Sequence, residues 1–285
     1  MWGACDIDKL LPNDDAIPTV MGILNVTPDS FSDGGMLYTD HLDLDKTLFK
    51  SQDMIAAGAG VIDVGGESTR PGASEVGVEE ELARVIPVIE ALRARFDIPI
   101  SVDTSSPEVI VEAAAAGASL INDVRALRRP GSLEAAVRTK LPVCLVHMQN
   151  EPASMQLAPM YKDVVVEVKD FLLEQRSRCL RAGIPSNKIL IDPGFGFGKT
   201  TQHNLTLFKA IDQFVATDVP VLIGVSRKRF IGDLLGNEPD QRLIGSVTMA
   251  VLAAQAGASL LRVHDVKETR EALSLLRFTR NFFER

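Results

Sequence analysis

One phrase recurs three times along this chain: alanines, a glycine, a few apolar residues, then a polar residue five places after the glycine. Gly58 leads to Asp63, Gly117 to Asn122 and Gly257 to Arg262. Each copy reads as a helix ended by glycine, whose missing Cβ permits the left-handed position beyond a helix C-terminus, followed by a short turn and a buried strand. A chain built from this unit forms a parallel sheet covered by helices and gathers polar groups at the carboxyl ends of its strands. Chemistry is expected at that edge.

The same reading extends along the whole sequence. Short β-branched runs bounded by turn residues occur at 19–24, 61–64, 98–102, 120–121, 143–146, 189–191, 221–225 and 260–263, which makes eight candidate strands. Between them lie helical patterns at 43–57, 78–95, 107–116, 132–139, 164–182, 204–210 and 243–256, with 268–283 last. Ser106 followed by Pro107 suits a cap and a first helical residue. Eight βα units in succession, with right-handed crossovers, close into a (β/α)8 TIM barrel; an open doubly wound sheet is the alternative. No stretch reads as a linker, so residues 1–285 form one domain, with 1–17 an N-terminal extension. Long loops follow three strands, at 26–41, 65–77 and 148–160, and a short extra helix is expected within 227–240.

Bulk properties narrow the class. A length of 285 residues and 46% hydrophobic content suffice for a large core. A net charge of -8 with interspersed signs argues against a nucleic-acid stripe, and 5% aromatic residues leave little for a base-stacking platform. Three scattered cysteines, Cys5, Cys144 and Cys179, suit reduced thiols rather than a disulfide framework. With no apolar leader and no run of eighteen apolar residues, a soluble cytoplasmic protein is expected.

Reading the strand ends in order yields Asn25, Asp63 with Glu67, Asp103, Asn122, His147, Asp192, Ser226 with Arg227 and Lys228, then Arg262 with His264. Any one of these has a structural explanation: Asn122 can cap a turn, Asp63 can bond backbone donors, and His147 can be a satisfied core histidine. Eight in succession at one barrel mouth point instead to a site. Asp103, Asn122 and Asp192 offer acceptors and one amide, which suit a planar heterocycle carrying amino and ring N–H donors, while Lys228 can donate to a carbonyl. Asn25, Thr69, Arg70, Arg262 and His264 suit an anion, and an arginine plane can also stack on a ring.

Several motifs fail on inspection. The run 192–200, DPGFGFGKT, approaches a phosphate-cradling Walker loop, but Pro193 stands where that pattern needs glycine. A tight glycine-rich bend that leaves Phe195 or Phe197 beside a ligand is the better reading. The four histidines lack metal-ligand spacing, and no nucleophile signature is present.

At this point the sequence resembles the dihydropteroate synthase family of bacterial folate synthesis along nearly its whole length. The resemblance rests on MGILNVTPDSFSDGG at 21–35, ESTRPG at 67–72, SVDT at 101–104, IND at 121–123, HMQ at 147–149, DPGFGFGK at 192–199, SRK at 226–228 and RVH at 262–264. It implies condensation of 6-hydroxymethyl-7,8-dihydropterin pyrophosphate with p-aminobenzoate, with magnesium on the pyrophosphate. It further implies catalytic roles for Asp103, Lys228, Arg262, Asp33 and Arg70, and a pterin pocket of Asp103, Asn122, Asp192, Lys228, Arg262 and Met148. Asn25, Thr69, Arg70, Arg262 and His264 would meet the pyrophosphate, Asn25 also its metal. Ser30, Phe31, Thr69, Pro71, Phe197 and Ser226 would border p-aminobenzoate. Family members are typically homodimers, and Leu273, Leu276 and Phe282 either form that interface or face the barrel. Two rivals stand beside this reading: a corrinoid-type pterin-dependent methyltransferase domain, and a non-catalytic pterin-binding paralogue.

Overall fold

Parallel strands buried on both faces need nearly continuous apolar sequence, and the runs identified above meet that need. The computed structural model describes residues 7, 10–11, 17–27, 43–67, 76–150, 155 and 159–283. Its strands are β1 (Thr19–Asn25), β2 (Val61–Gly65), β3 (Ile100–Asp103), β4 (Leu120–Asp123), β5 (Val143–Val146), β6 (Ile189–Asp192), β7 (Leu222–Ile223) and β8 (Leu260–Val263). All pair in parallel in the order β6-β5-β4-β3-β2-β1-β8-β7, and a parallel bridge between Ile191 and Val221 closes the ring. The helices are α1 (Leu44–Ala56), α2 (Val78–Arg95), α3 (Pro107–Ala116), α4 (Ser132–Thr139), α5 (Val164–Arg181), α6 (Thr201–Lys209), α7 (Ile211–Val215), α8 (Arg229–Leu235), α9 (Leu243–Gln255) and α10 (Val266–Phe283). The architecture is a (β/α)8 TIM barrel, and the open sheet is excluded.

Alternation along the strands divides the barrel into two populations. Outward residues such as Ile62, Val64, Ile100, Val102, Leu145 and Leu261 pack with Val85, Ile89, Ile110, Leu172 and Ala253 of the helical layer. Inward residues Met21, Val61, Leu120, Cys144, Leu190, Leu222 and Leu260 form a separate apolar cluster. One pleat further on, two residues later on those strands, stand Ile23, Asp63, Asn122, Val146, Asp192, Gly224 and Arg262. On β3 the same step leads from Ser101 to Asp103. The polar mouth thus sits one layer above an apolar floor. Ile7 and Leu10 of the N-terminal extension are buried within that floor, so the segment is part of the barrel's packing.

The recurrent glycines do what their sequence context predicts. Gly58, Gly117 and Gly257 have φ of 96°, 110° and 96°, each just past a helix end. Some boundaries shift. The strands β3 and β4 extend to Asp103 and Asp123, whereas β7 shrinks to Leu222–Ile223. The sixth helix starts earlier than predicted because Thr200 and His203 form a capping box, and a break at Ala210 separates α7, which the sequence pattern does not reveal. The extra helix expected in 227–240 is α8. Ser106 does sit at the cap of α3 with Pro107 behind it, but its hydroxyl donates to Glu81 Oε2 at 2.8 Å instead of capping. Leu273 and Leu276 face the barrel and are buried, while Leu275 and Phe278 are the exposed apolar residues of α10; the side chain of Phe282 lies outside the described residues. Among the described residues no helix is long and apolar enough to cross a membrane.

Gly117 provides a direct check of this construction. A Cβ there would come within 3.0 Å of Arg93 Cγ, and Arg93 itself donates to the Gly117 carbonyl at 2.8 Å. Gly117→Ala is expected to lose about 1–2 kcal/mol from left-handed strain alone, read as a lower urea midpoint at unchanged slope.

Candidate active site

The polar layer is organised around Arg262 on β8. Its Nε donates to Asp63 Oδ2 at 2.6 Å and its Nη2 to Asp103 Oδ2 at 2.7 Å, so the guanidinium reaches across β1 to β2 and β3. Burial works against the charge, but Asp63 and Asp103 more than offset it and lift the arginine pKa above its ordinary value. Asn122 on β4 donates to Asp63 Oδ2 at 3.4 Å. That leaves Asp63 Oδ1 and Asn122 Oδ1 buried with no hydrogen-bond partner. Asp192 closes the arc on β6, its Oδ1 accepting from Gly194 N at 2.7 Å.

Space over these groups comes from inward glycines. At Gly224 a Cβ would stand 3.7 Å from Asp192 Oδ2, and at Gly65 it would stand 3.5 Å from Asn25 Oδ1 and 3.6 Å from Asp103 Oδ2. Neither position clashes, so both glycines widen the mouth.

Lys228 follows a sharp turn after β7, where Arg227 adopts a left-handed φ of 55°. Arg227 holds that conformation by pairing with Asp265, its Nε donating to Oδ2 at 3.0 Å, and by donating its backbone N–H to Ser246 Oγ at 2.8 Å. The Lys228 ammonium lies 3.9 Å from the centre of the Phe197 ring. Ser226 Oγ is 3.0 Å from His264 Nδ1 and accepts from the His264 backbone N–H at 3.2 Å. Burial and then the charges of Arg262 and Arg227 hold this imidazole well below its usual pKa. His264 is therefore neutral.

The carboxyls are perturbed in the opposite sense. Burial pushes Asp103 up to about 7, Arg262 opposing it and Asp63 and Glu67 adding to it. Burial likewise pushes Asp192 up to about 6, and pulls Lys228 down to about 8. Asp103 and Asp192 thus hold their protons more tightly than free aspartates do, and the cations Arg262 and Lys228 oppose that shift at Asp192.

Other sequence candidates fall elsewhere. His147 turns away to Lys199, whose Nζ is 2.8 Å from its Nδ1, and burial holds the imidazole well below its usual pKa. It is the satisfied core histidine. Glu67 pairs with Arg125 at 3.2 Å, and Asp123, next to Asn122, accepts from the backbone N–H groups of Arg125 and Leu127. Met148 is buried beside Phe197 in the inner cluster. Ser30, Phe31, Asp33, Thr69, Arg70 and Pro71 lie outside the described residues, as does most of each long loop. Asp63, read from the first glycine phrase as a polar strand end, turns out to anchor Arg262, a pairing no sequence signal shows; Lys199 was cited only as the last residue of the 192–199 motif, with no role of its own.

Fold and site together define a β/α-barrel protein whose mouth gathers buried carboxyls, an amide and the cations Arg262 and Lys228. The description "Pterin binding enzyme" matches residues 21–264. Dihydropteroate synthase of Escherichia coli (strain K12) is 57% identical over 262 residues, covering 92% of each chain. A Yersinia pestis dihydropteroate synthase in complex with a sulfonamide drug superposes with a TM-score of 0.90 at 54% identity, covering 94% of this chain and 96% of that one. The Xanthomonas albilineans enzyme in complex with 7,8-dihydropteroate gives 0.85 at 47% identity, covering 97% and 98%. The chain belongs to the dihydropteroate synthase family of pterin-binding transferases.

The raised carboxyls set a stability signature. Unfolded aspartates ionise near pH 4 and the folded Asp103 near 7. The unfolded state therefore gives up its proton first, and stability falls as pH rises across that window. Asp103→Asn removes this loss. Because it also withdraws a charged partner from buried Arg262, the variant is expected to melt below wild type at pH 5 and to close part of that deficit at pH 8, read by scanning calorimetry on the ligand-free protein; an equal deficit at both pH values would contradict the burial argument.

Proposed function

We propose that the barrel condenses 6-hydroxymethyl-7,8-dihydropterin pyrophosphate with p-aminobenzoate to give 7,8-dihydropteroate and pyrophosphate. The observation that carries this reading is the pair of buried acceptors with no hydrogen-bond partner, Asp63 Oδ1 and Asn122 Oδ1, on β2 and β4 to either side of Asp103 on β3. A buried acceptor left unpaired costs about 1–3 kcal/mol, and a dihydropterin edge carries the amino and ring N–H groups that would satisfy it. Asp192 would accept from the amino and N3–H edge, Asn122 and Asp103 would meet the opposite ring nitrogens, and Lys228 would face the carbonyl. Arg262, already fixed by two aspartates, would cover the ring. His264, together with Arg262, Thr69 and Arg70, would meet the pyrophosphate. Phe197 and Ser226, with Ser30, Phe31, Thr69 and Pro71, would border the aminobenzoate.

The charge pattern supports departure of pyrophosphate before attack by the amine. As the C–O bond to pyrophosphate breaks, positive charge spreads over the pterin-methyl group, and the carboxylates around it stabilise that charge with no reorganisation. The amine nitrogen of p-aminobenzoate then bonds to the methylene carbon and releases a proton. Neither step needs a protein nucleophile.

Magnesium fits as an ion carried by the substrate. Asn25, with Oδ1 beside Gly65 at the end of β1, is the described residue that would hold it. One neutral amide suits an ion that keeps waters and phosphate oxygens as its main ligands. Bound there, it would neutralise charge on the leaving group. The exposed Leu234, Leu235, Ile244, Leu252, Leu275 and Phe278 of α8, α9 and α10 support a homodimer, and buried free Cys144 and Cys179 suit a cytoplasmic location.

Incubating the purified protein with both substrates and magnesium is expected to release pyrophosphate and dihydropteroate in equal amounts, and chelation with EDTA to stop turnover until magnesium is restored. Asp192→Asn is expected to lower kcat/KM by about 10²–10³-fold, measured by steady-state pyrophosphate release; a change under threefold would remove Asp192 from the pterin edge.

A further inference from the structure

The run 192–199 left one residue without a role. Lys199 is only 3% exposed, and its Nζ sits among four partners: His147 Nδ1 at 2.8 Å, Gly194 O at 2.9 Å, Phe197 O at 3.0 Å and His147 O at 3.4 Å. Two of them tie Lys199 to His147, and the other two lie on the inside of one loop. That loop is an arch of three left-handed glycines, Gly194, Gly196 and Gly198, with φ of 69°, 80° and 60°. The arch passes very close to its neighbours. A Cβ on Gly194 would stand 1.8 Å from His147 O, and one on Gly198 would stand 2.7 Å from Gln149 O. Outside the arch, Asn204 of α6 accepts from Gly196 N at 2.8 Å, and Tyr161 donates to Gly198 O at 2.8 Å.

Three glycines give this segment wide conformational freedom, so its shape must come from these ties. What the arch carries is Phe197, the ring that lies against Lys228. Lys228 faces the proposed pterin, so the position of the arch sets the gap between pterin and aminobenzoate.

We propose that Lys199 is a positioning residue: with His147 it clamps the Gly194–Gly198 arch and so sets the Phe197 wall of the p-aminobenzoate pocket, without touching either substrate. The proposal rests on the reaction assigned above. It bears more on the second substrate than on the first, because Asp103, Asn122, Asp192 and Arg262 stand on β3, β4, β6 and β8 while the clamp acts on the segment after β6, and of the groups assigned to the pterin only Lys228 lies against Phe197.

The test is Lys199→Met, which keeps the stem and removes all three donors. The expected result is a tenfold or greater rise in KM for p-aminobenzoate, a fall in kcat below threefold, and a calorimetric Kd for the pterin pyrophosphate within threefold of wild type. In hydrogen exchange, amides of residues 195–198 should exchange at least tenfold faster while the strands stay unchanged. An unchanged KM for p-aminobenzoate, or a pterin Kd that worsens as much as that KM, would overturn the proposal. Should Lys199→Met fail to fold, Tyr161→Phe removes only the outer tie at Gly198 and should raise the same KM two- to fivefold with pterin affinity kept; no rise would count against the clamp. A wild-type protein that forms no dihydropteroate would defeat the reaction assignment instead, and the exchange pattern would still report on the arch.

Discussion

An arginine held between two aspartates inside a closed barrel is the interaction on which the mouth depends. Arg262 bonds Asp63 and Asp103 from a strand two places removed from the first and three from the second. A buried charge without its partners costs several kcal/mol, so the three groups stand or fall together. Their union ties the last strand to the early ones and fixes the plane of the guanidinium. It also consumes one oxygen of each carboxylate, and what remains unsatisfied faces the mouth. The recognition surface is therefore a by-product of how one cation is buried.

The same arrangement explains why chemistry and stability are opposed here and yet coexist. Crowded carboxyls raise their own proton affinity and weaken the ligand-free fold, and a site of this kind stores electrostatic preorganisation as a cost borne by the rest of the barrel. That cost is met one pleat below. Met21, Leu120, Leu190, Leu222 and Leu260 fill the interior with apolar side chains, and the strand period of two keeps the two layers apart.

Most of the architecture was legible in the residues, for a physical reason. Parallel barrels require unbroken apolar runs and glycine-terminated helices, both local signals, and the three glycine phrases end where the polar layer begins. What was not legible depended on ring closure. Asp63 and Arg262 are 199 residues apart, and nothing local marks the first as anchor of the second. Asn122 shares the inward parity of Leu120 on β4, whereas His147 follows inward Val146 just past the end of β5 and turns to Lys199; a reading of strand ends that does not track this parity treats the two alike. Thr200 and His203 set the start of α6 by a side-chain exchange that a periodicity pattern does not register. Thr69, Arg70 and their neighbours on the long loops were read from motif alone, and lie outside the described residues.

The burial of Ile7 and Leu10 in the barrel floor bears on how the fold can close. Their cluster is completed by Leu222 and Leu260, more than two hundred residues further along the chain. The floor is thus held by contacts as distant in sequence as the Arg262–Asp63 tie, which spans 199 residues. Contacts of that span form only once the intervening chain is in place, so base and mouth close together, and a change that displaces β8 unseats both.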